Sequence, residues 1–373
     1  MNLGLIPALG GGIAELRRSG QDSRLLDGYF RAYAAAFEKV WYFSYLPEAL
    51  TDYTDDAQLL RSVQIMAPRH AGSRGLRAMT MPVAHSAIVR RCAVLRVFQI
   101  TGVLPALIAR ARFGIPYVTT YGFSYSALSR PGPTRLLKHL VERVGLRYAT
   151  AVIATTEALR AHAGRIARRV ELIPNGVDTG RFAPPMPDRE HTTRDPRQIL
   201  YVGRLSREKN ISALIRAAAS LQGRLPLLIV LVGDGPIRES LAAEARTAGV
   251  AVEFRGVVDQ RLLPRTYAAA DAFVLASFTE GHPKALIEAM STGLPCVASD
   301  CDGNRSLVTP ERTGLLFDPN RPADLAACLE RVLTDHALAE TLGRAARELV
   351  VAQYDLGRRV QQEIAVLKSV ART

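Results

Sequence analysis

Two cations just past the end of an apolar strand are the first residues in this chain with chemistry to offer. Arg204 follows the run Ile199-Leu200-Tyr201-Val202-Gly203, and Lys209 stands at the start of the helical stretch Ile211 to Leu221. Neither charge is needed to end a strand or begin a helix, and two cations beside a strand-to-helix turn suit a diphosphate. A second concentration of polar chemistry lies in the stretch Ser277 to Ser299, SFTEGHPKALIEAMSTGLPCVAS. There an apolar strand, Ala272 to Ala276, ends in the loop Glu280-Gly281-His282, and Pro283 is expected to begin a helix that stops at Gly293. Proline fits a first helical position because the amide it lacks would have no partner there. Glu280 and Glu288 bracket the helix start, with Lys284 one turn before Glu288. Free amides at a helix N-terminus, together with two acceptors, suit a polar and partly anionic ligand such as a sugar nucleotide. Lys284 and Glu288 at i and i+4 would equally make an ordinary surface ion pair. These residues alone leave both readings open.

The elements that must position these groups alternate. Strands are expected at Asn2 to Leu9, Val40 to Tyr45, Ser62 to Met66, Val97 to Thr101, Tyr117 to Thr120 and Ala151 to Thr155, most of them followed by helical patterns. The first runs into Gly10-Gly11-Gly12, a turn that would let backbone approach a ligand and would also serve as a plain tight turn. Thr119-Thr120-Tyr121-Gly122 ends another strand, and the loop after it, with Pro131, Gly132 and Pro133, is suited to shaping an acceptor pocket. Ser73 to Ala87, rich in Met and Arg, fits either a mobile loop or an amphipathic surface piece. Near Val170 the composition turns to prolines, Asn175-Gly176 and charges, which is linker chemistry. A second alternating set begins at Gln198, with strands ILYVG, PLLIVLVG, VEFRG, AFVLA and PCVAS, and with a further glycine turn at Gly233-Asp234-Gly235-Pro236. The fold class expected is therefore α/β: two Rossmann-like domains, residues 1–178 and 179–355, facing each other across a cleft, with a helix over 356–373 packing back on the first.

Length agrees, since 373 residues exceed what one core usually organises. The net charge of +13 is uneven: residues 1–180 carry 23 basic and 12 acidic residues, whereas 181–373 carry 25 and 23. Between Ala57 and Val141 no acid occurs, while Arg61, Arg69, Arg74, Arg77, Arg90, Arg91, Arg96, Arg110, Arg112, Arg130, Arg135 and Lys138 all do. Such a cationic body attracts polyanions of any kind; with no nucleic-acid motif beside it, an anionic membrane surface is the expected partner, and a genome that favours Arg would explain part of the excess. Four cysteines without a CxxC pattern fit free thiols in a reducing compartment. The N-terminus lacks the charged region of a signal peptide, and the longest apolar run, Val97 to Ala109, is too short to span a bilayer. The expectation is a cytoplasmic protein, either soluble or peripheral at the inner face of the membrane.

Taken together, VGRLSREKN, VGDGP, FRGVV, EGHPKALIEAMSTGLPCVAS and TGLLF, in that order, resemble the nucleotide-sugar domain of family 4 retaining glycosyltransferases, which have the two-domain GT-B fold. IPNGVDTGRF resembles the interdomain segment of that family. The resemblance is specific over about residues 170–320 and weaker upstream. It implies that Arg204 and Lys209, with Gly203 before them, bind the donor diphosphate. Glu288 would hold the ribose hydroxyls, and Glu280 would contact the sugar with the backbone of Gly281, His282, Pro283 and Lys284 beside it. Gly256 and Val257 would border the base, and Gly10, Gly11 and Gly12 would approach the phosphates. Catalysis would rest on Arg204, Lys209 and Glu280, with no metal and no cofactor beyond a UDP- or GDP-linked sugar donor. The acceptor would be a glycan or lipid-linked hydroxyl, as in bacterial cell-surface polysaccharide synthesis.

Two departures from the pattern stand out. The family often has a His after the strand at Tyr117 to Thr120, where this chain reads Thr-Tyr-Gly, and neither His70 nor His85 replaces it well. Asp300-Cys301-Asp302 resembles the metal-binding acidic pair of the other glycosyltransferase fold and is read here as a loop at a strand end. The competing functions are a nucleotide-sugar epimerase or sugar-phosphate synthase of the same fold, or a non-catalytic subunit of a polysaccharide assembly complex. Product analysis with and without acceptor, and donor hydrolysis, separate these.

Overall fold

A computed structural model describes residues 1–123, 132–185 and 195–372. The chain divides into two compact units, Met1–Pro174 with Gly357–Thr373, and Asn175–Leu356.

The first unit holds a seven-stranded parallel sheet in the order β3-β2-β1-β4-β5-β6-β7. Its strands are β1 (Asn2–Ile6), β2 (Lys39–Phe43), β3 (Val63–Met66), β4 (Val94–Val97), β5 (Tyr117–Tyr121), β6 (Ala151–Ala154) and β7 (Val170–Leu172). The second unit holds six parallel strands in the order β10-β9-β8-β11-β12-β13. These are β8 (Arg197–Val202), β9 (Leu227–Val232), β10 (Ala251–Gly256), β11 (Ala272–Leu275), β12 (Cys296–Ser299) and β13 (Leu315–Phe317). The central runs are largely apolar because helices cover both sheet faces, whereas β10, at the edge of its sheet, alternates between exposed and partly buried residues. In the second unit Leu200, Leu231, Phe273 and Val297 are at most 1% exposed.

In both sheets the strand order reverses beside the first strand, between β1 and β4 and between β8 and β11. Open α/β sheets leave a crevice at the carboxyl ends of the strands flanking such a reversal. The loops after β8 and β11 carry Arg204 to Lys209 and Ser277 to Pro283.

Several boundaries differ from the sequence reading. β1 stops at Ile6, before Pro7, which has no amide to donate to a ladder. The strand expected at Val97 to Thr101 is Val94–Val97, followed by a short 3-10 turn at Ile100–Gly102 and a helix at Val103–Phe113. Pro283 caps the helix Lys284–Ser291 rather than opening it. Ser73 to Ala87 is a capped helix over Arg74–Ala84, with Ser73 Oγ accepting from Leu76 N–H, followed by a short turn of helix. Of the loop expected to shape an acceptor pocket, Pro131 lies outside the described residues, as do residues 186–194 of the linker.

The C-terminal helix Leu356–Val370 belongs to the first unit, and one buried ion pair holds it there. Arg96 on β4 and Glu363 are 3% and 4% exposed. The guanidinium meets the carboxylate through two bonds of 2.6 and 2.9 Å. It also donates to Val97 O at 2.5 Å and Thr120 Oγ1 at 2.7 Å, and Tyr33 OH donates to the same carboxylate. Arg96 is thus no part of the cationic surface to which the sequence reading assigned it.

Candidate donor site

The loop after β8 is built on glycine and tyrosine. Gly203 has φ +158, and a methyl group there would lie 2.7 Å from Tyr201 Oη. That phenol donates to Arg204 O at 2.9 Å. Burial first, then the charges of Glu280 and Glu208, push its pKa far up, so it stays a donor. Neighbouring loops brace the turn: Gly203 N–H donates to Val232 O and Leu205 N–H to Asp234 O, at 2.9 and 3.0 Å. A methyl group on Gly233 would stand 2.0 Å from Gly203 O, and one on Gly235 would stand 2.2 Å from Leu205 O. The glycines of the VGDGP turn are there for backbone-to-backbone packing, which fixes the height of Arg204. Gly256 ends β10 with φ +64 and accepts from Gly233 N–H at 2.7 Å, and Val257 beyond it is 46% exposed.

Lys209 closes a 3-10 turn, Arg207–Lys209, and Asn210 after it takes a left-handed φ of 52. Ser206 Oγ donates to Glu208 Oε1 at 2.6 Å, which holds the Glu208 carboxyl below its ordinary pKa. Lys209 Nζ reaches Glu280 Oε1 at 2.6 Å across the strand-order reversal, and Ser277 Oγ donates to that same oxygen at 2.6 Å. Phe278 N–H donates to Glu208 O at 2.9 Å, so the loops after β8 and β11 are joined through backbone as well. Arg204 is exposed, its carbonyl accepts from Tyr201 OH and Ser206 N–H, and its guanidinium makes no hydrogen bond or ion pair among the described residues. One guanidinium is therefore presented to solvent beside an ammonium held by a carboxylate.

Glu280 is seated from below. Ser299 Oγ donates to Ser277 O at 2.5 Å, and Asn304 Nδ2 donates to Ser299 O at 2.9 Å. Gly303 lies directly under the loop: a methyl group there would meet Glu280 O at 2.5 Å. His282 is buried, its ring 5.4 Å from that of Tyr354, and its carbonyl accepts from Asn175 Nδ2 at 2.8 Å. Gly281 is half-buried beside it, Pro283 is buried and Lys284 is exposed.

Glu288 is no surface residue, being 3% exposed. Gln260 Nε2 donates to Oε1 at 3.1 Å and Tyr267 OH to Oε2 at 3.0 Å. Burial, then the Glu288 charge, raises the Tyr267 pKa well above its usual value and keeps its proton on. Nothing in the local sequence pattern marked Gln260, Tyr267 or Gly303, whereas Ser277 opens the stretch singled out in the sequence.

The glycine loop of the first unit has its own explanation. Gly12 precedes the helix Ile13–Arg18, whose first amides, Ile13 and Ala14, donate to the two oxygens of Glu48 at 2.9 Å each. Ser44 Oγ and Tyr53 OH donate to that carboxylate too, at 2.5 and 2.8 Å. A methyl group on Gly12 would strike Glu48 Oε1 at 2.6 Å, and one on Gly10 would strike Arg74 Cδ at 2.4 Å. Gly11 closes a turn by donating to Ala8 O at 2.9 Å. These helix amides are occupied by a side chain of the same unit.

His85 is buried against the Phe43 ring, with Nε2 3.0 Å from Ala67 O, and burial lowers its pKa. It is a structural imidazole. Asp300 and Asp302 both pair with Arg305, at 2.9 and 2.5 Å, and no group of potential metal ligands occurs among the described residues.

Comparisons with known proteins give this geometry a family. Residues 186–349 match the family described as Glycosyl transferases group 1, and residues 52–181 match Glycosyltransferase Family 4. A UDP-Gal:alpha-D-GlcNAc-diphosphoundecaprenol alpha-1,3-galactosyltransferase of Escherichia coli is 29% identical over 278 residues, covering 70% of this chain and 71% of that protein. A GDP-mannose-dependent alpha-mannosyltransferase of Mycolicibacterium smegmatis is 36% identical over 244 residues, covering 64% and 60%. In another curated relative the matched part is 36% of the length, so the chain spans between about a third and seven tenths of these proteins. The sucrose-phosphate synthase of Thermosynechococcus elongatus, at 23% identity, superimposes with a TM-score of 0.80 over 99% of both chains. Its likeness concerns the fold, two parallel-sheet α/β domains of the GT-B type. With both units matched in their own halves, the chain belongs to the group 1 glycosyltransferases of family 4.

Proposed function

We propose that the protein transfers a sugar from a nucleoside diphosphate to a hydroxyl of a glycan or lipid-linked acceptor, with retention at the anomeric carbon and without a metal. The observation that carries this reading is that one loop at the strand-order reversal of the second unit carries the exposed Arg204 guanidinium, free of hydrogen bonds and ion pairs among the described residues, and Lys209, which reaches Glu280. In this reading Arg204 and Lys209 hold the diphosphate, Glu280 and the backbone of Gly281 to Lys284 face the sugar, Glu288 accepts from the ribose, and Gly256 and Val257 border the base. The bond from the anomeric carbon to the diphosphate oxygen breaks as the bond to the acceptor oxygen forms on the same face. The acceptor proton passes to the departing phosphate oxygen. Negative charge grows on that oxygen, where two fixed cations lower the barrier. Glu280 serves as an orienting group rather than a nucleophile, since one of its oxygens already accepts from Lys209 and Ser277.

The names of the relatives support UDP- and GDP-linked donors and, for one, a diphosphoundecaprenol acceptor. A role in cell-surface polysaccharide synthesis, at an anionic membrane surface, follows that lead and the basic first half of the chain. No helix among the described residues is long and apolar enough to cross a membrane.

A panel of UDP- and GDP-sugars, followed by NMR of the anomeric proton in the product, tests the reading. One donor should be consumed and its α configuration kept. No consumption of any donor contradicts transfer, and a β product contradicts retention. Gly303→Ala should raise the KM for that donor by roughly tenfold, because its methyl group must displace the Glu280 backbone. Gly164→Ala, whose methyl group meets nothing within 4 Å, should leave the KM unchanged.

A further inference from the structure

A helix of the first unit, Pro133–Tyr148, runs antiparallel to β5. Tyr117 OH donates to Gly145 O at 2.7 Å and Tyr121 OH to Glu142 Oε1 at 2.8 Å. The turns before Glu142 therefore project beyond the carboxyl end of the strand. There Leu136, Leu137 and Leu140 are 72%, 61% and 56% exposed. Arg135, Lys138 and His139 are exposed among them.

A second helix repeats the arrangement. On Arg74–Ala84, Leu76, Met79 and Val83 are 50%, 56% and 49% exposed, at i, i+3 and i+7, whereas Ala78, Met81 and Pro82 are buried. This helix thus carries one apolar face inward and another outward. Arg69 and Arg74 are exposed beside it. The Val103–Phe113 helix packs against both, so the two outward stripes belong to one helical layer.

Folding normally turns such stripes to a core. Six large apolar side chains left in water, flanked by cations, suit the boundary between headgroups and acyl chains. Charge chooses among possible occupants. From Ala57 to Val141 there is no acid, so a second copy presenting the same patch would set cation against cation. An anionic bilayer supplies both the opposite charge and the apolar layer beneath it.

We propose that the first unit docks on an anionic lipid surface by inserting Leu136, Leu137, Leu140, Leu76, Met79 and Val83, with Arg69, Arg74, Arg135 and Lys138 among the headgroups. This deepens the membrane part of the proposed function by naming the surface that makes the contact. The full chain is sedimented with phosphatidylglycerol–phosphatidylcholine vesicles and with pure phosphatidylcholine vesicles, at low and high salt. It should bind the first only, and less at high salt. The triple variant L136S/L137S/L140S should bind at least about tenfold less, and V351S, on an exposed apolar residue of the second unit, should match the wild type. L137W gives an independent reading: its emission should shift to the blue with anionic vesicles, over the constant signal of Trp41, which is 3% exposed. Undiminished binding by the triple variant, no binding by the wild type, or no shift in L137W would overturn the proposal. So would light scattering that shows a dimer dissolved by the triple substitution. Donor consumption is measured separately in vesicle-free buffer, so loss of the transferase reading and loss of this one are told apart.

Discussion

Arg204→Ala and Lys209→Ala should each lower sugar transfer by at least about a hundredfold, the loss typical when one preorganised group facing a developing oxyanion is removed. The two variants should differ in what else they disturb. The Arg204 guanidinium is exposed and makes no hydrogen bond or ion pair among the described residues, so its loss should leave the unfolding midpoint in place. Lys209 is the cation at 2.6 Å from Glu280, whose side chain is 10% exposed, so its removal leaves a nearly buried carboxylate with Ser277 as its one donor among the described residues. A measurable fall in stability should accompany that loss of activity. Arg204→Lys keeps the charge and loses the two-pronged fork, so it should recover part of the rate. Near-normal turnover by both alanine variants would remove the basis for donor binding at this turn.

Glu363→Ala should destabilise the first unit by about 3–5 kcal/mol, the usual consequence of leaving a buried charge without its partner. Arg96 would keep its bonds to Val97 O and Thr120 Oγ1 and lose the carboxylate that neutralises it. The chain contains one tryptophan, Trp41, and it is buried in this unit, so its fluorescence reports the loss selectively. For a unit of this size the midpoint should fall by about 6–20 °C. Arg96→Met combined with Glu363→Leu should recover most of it, since paired apolar replacements remove the desolvation cost along with the attraction. A single variant as stable as the wild type would mean that the helix Leu356–Val370 is held by other contacts.

The alternation of strands and helices was legible because each strand is a short apolar run with a glycine or polar turn after it. β4 was misplaced for a physical reason. Arg96 interrupts its apolar pattern, and the carboxylate that makes a buried arginine tolerable lies on the last helix, with no local trace in the sequence. The same separation hid the surroundings of Glu288. Its spacing from Lys284 suggests a surface pair, and only the fold brings Tyr267 and Gln260 to it. Gly10 to Gly12 show the converse. A glycine turn before a helix looks the same whether a ligand or a side chain takes the amides, and here Glu48 takes those of Ile13 and Ala14. Ser73 to Ala87 resisted reading because apolar residues occur on both faces of its helix, one turned to the core and one to solvent.

The central claim is that the crevice between β8 and β11 binds the diphosphate of a sugar nucleotide. Calorimetric titration of UDP and GDP into the wild type, Arg204→Ala and Lys209→Ala chains tests it most directly, without requiring the acceptor. One nucleotide should bind the wild type, and each substitution should weaken it by at least about tenfold through loss of a charge-assisted contact. Equal affinity in all three chains would contradict the claim.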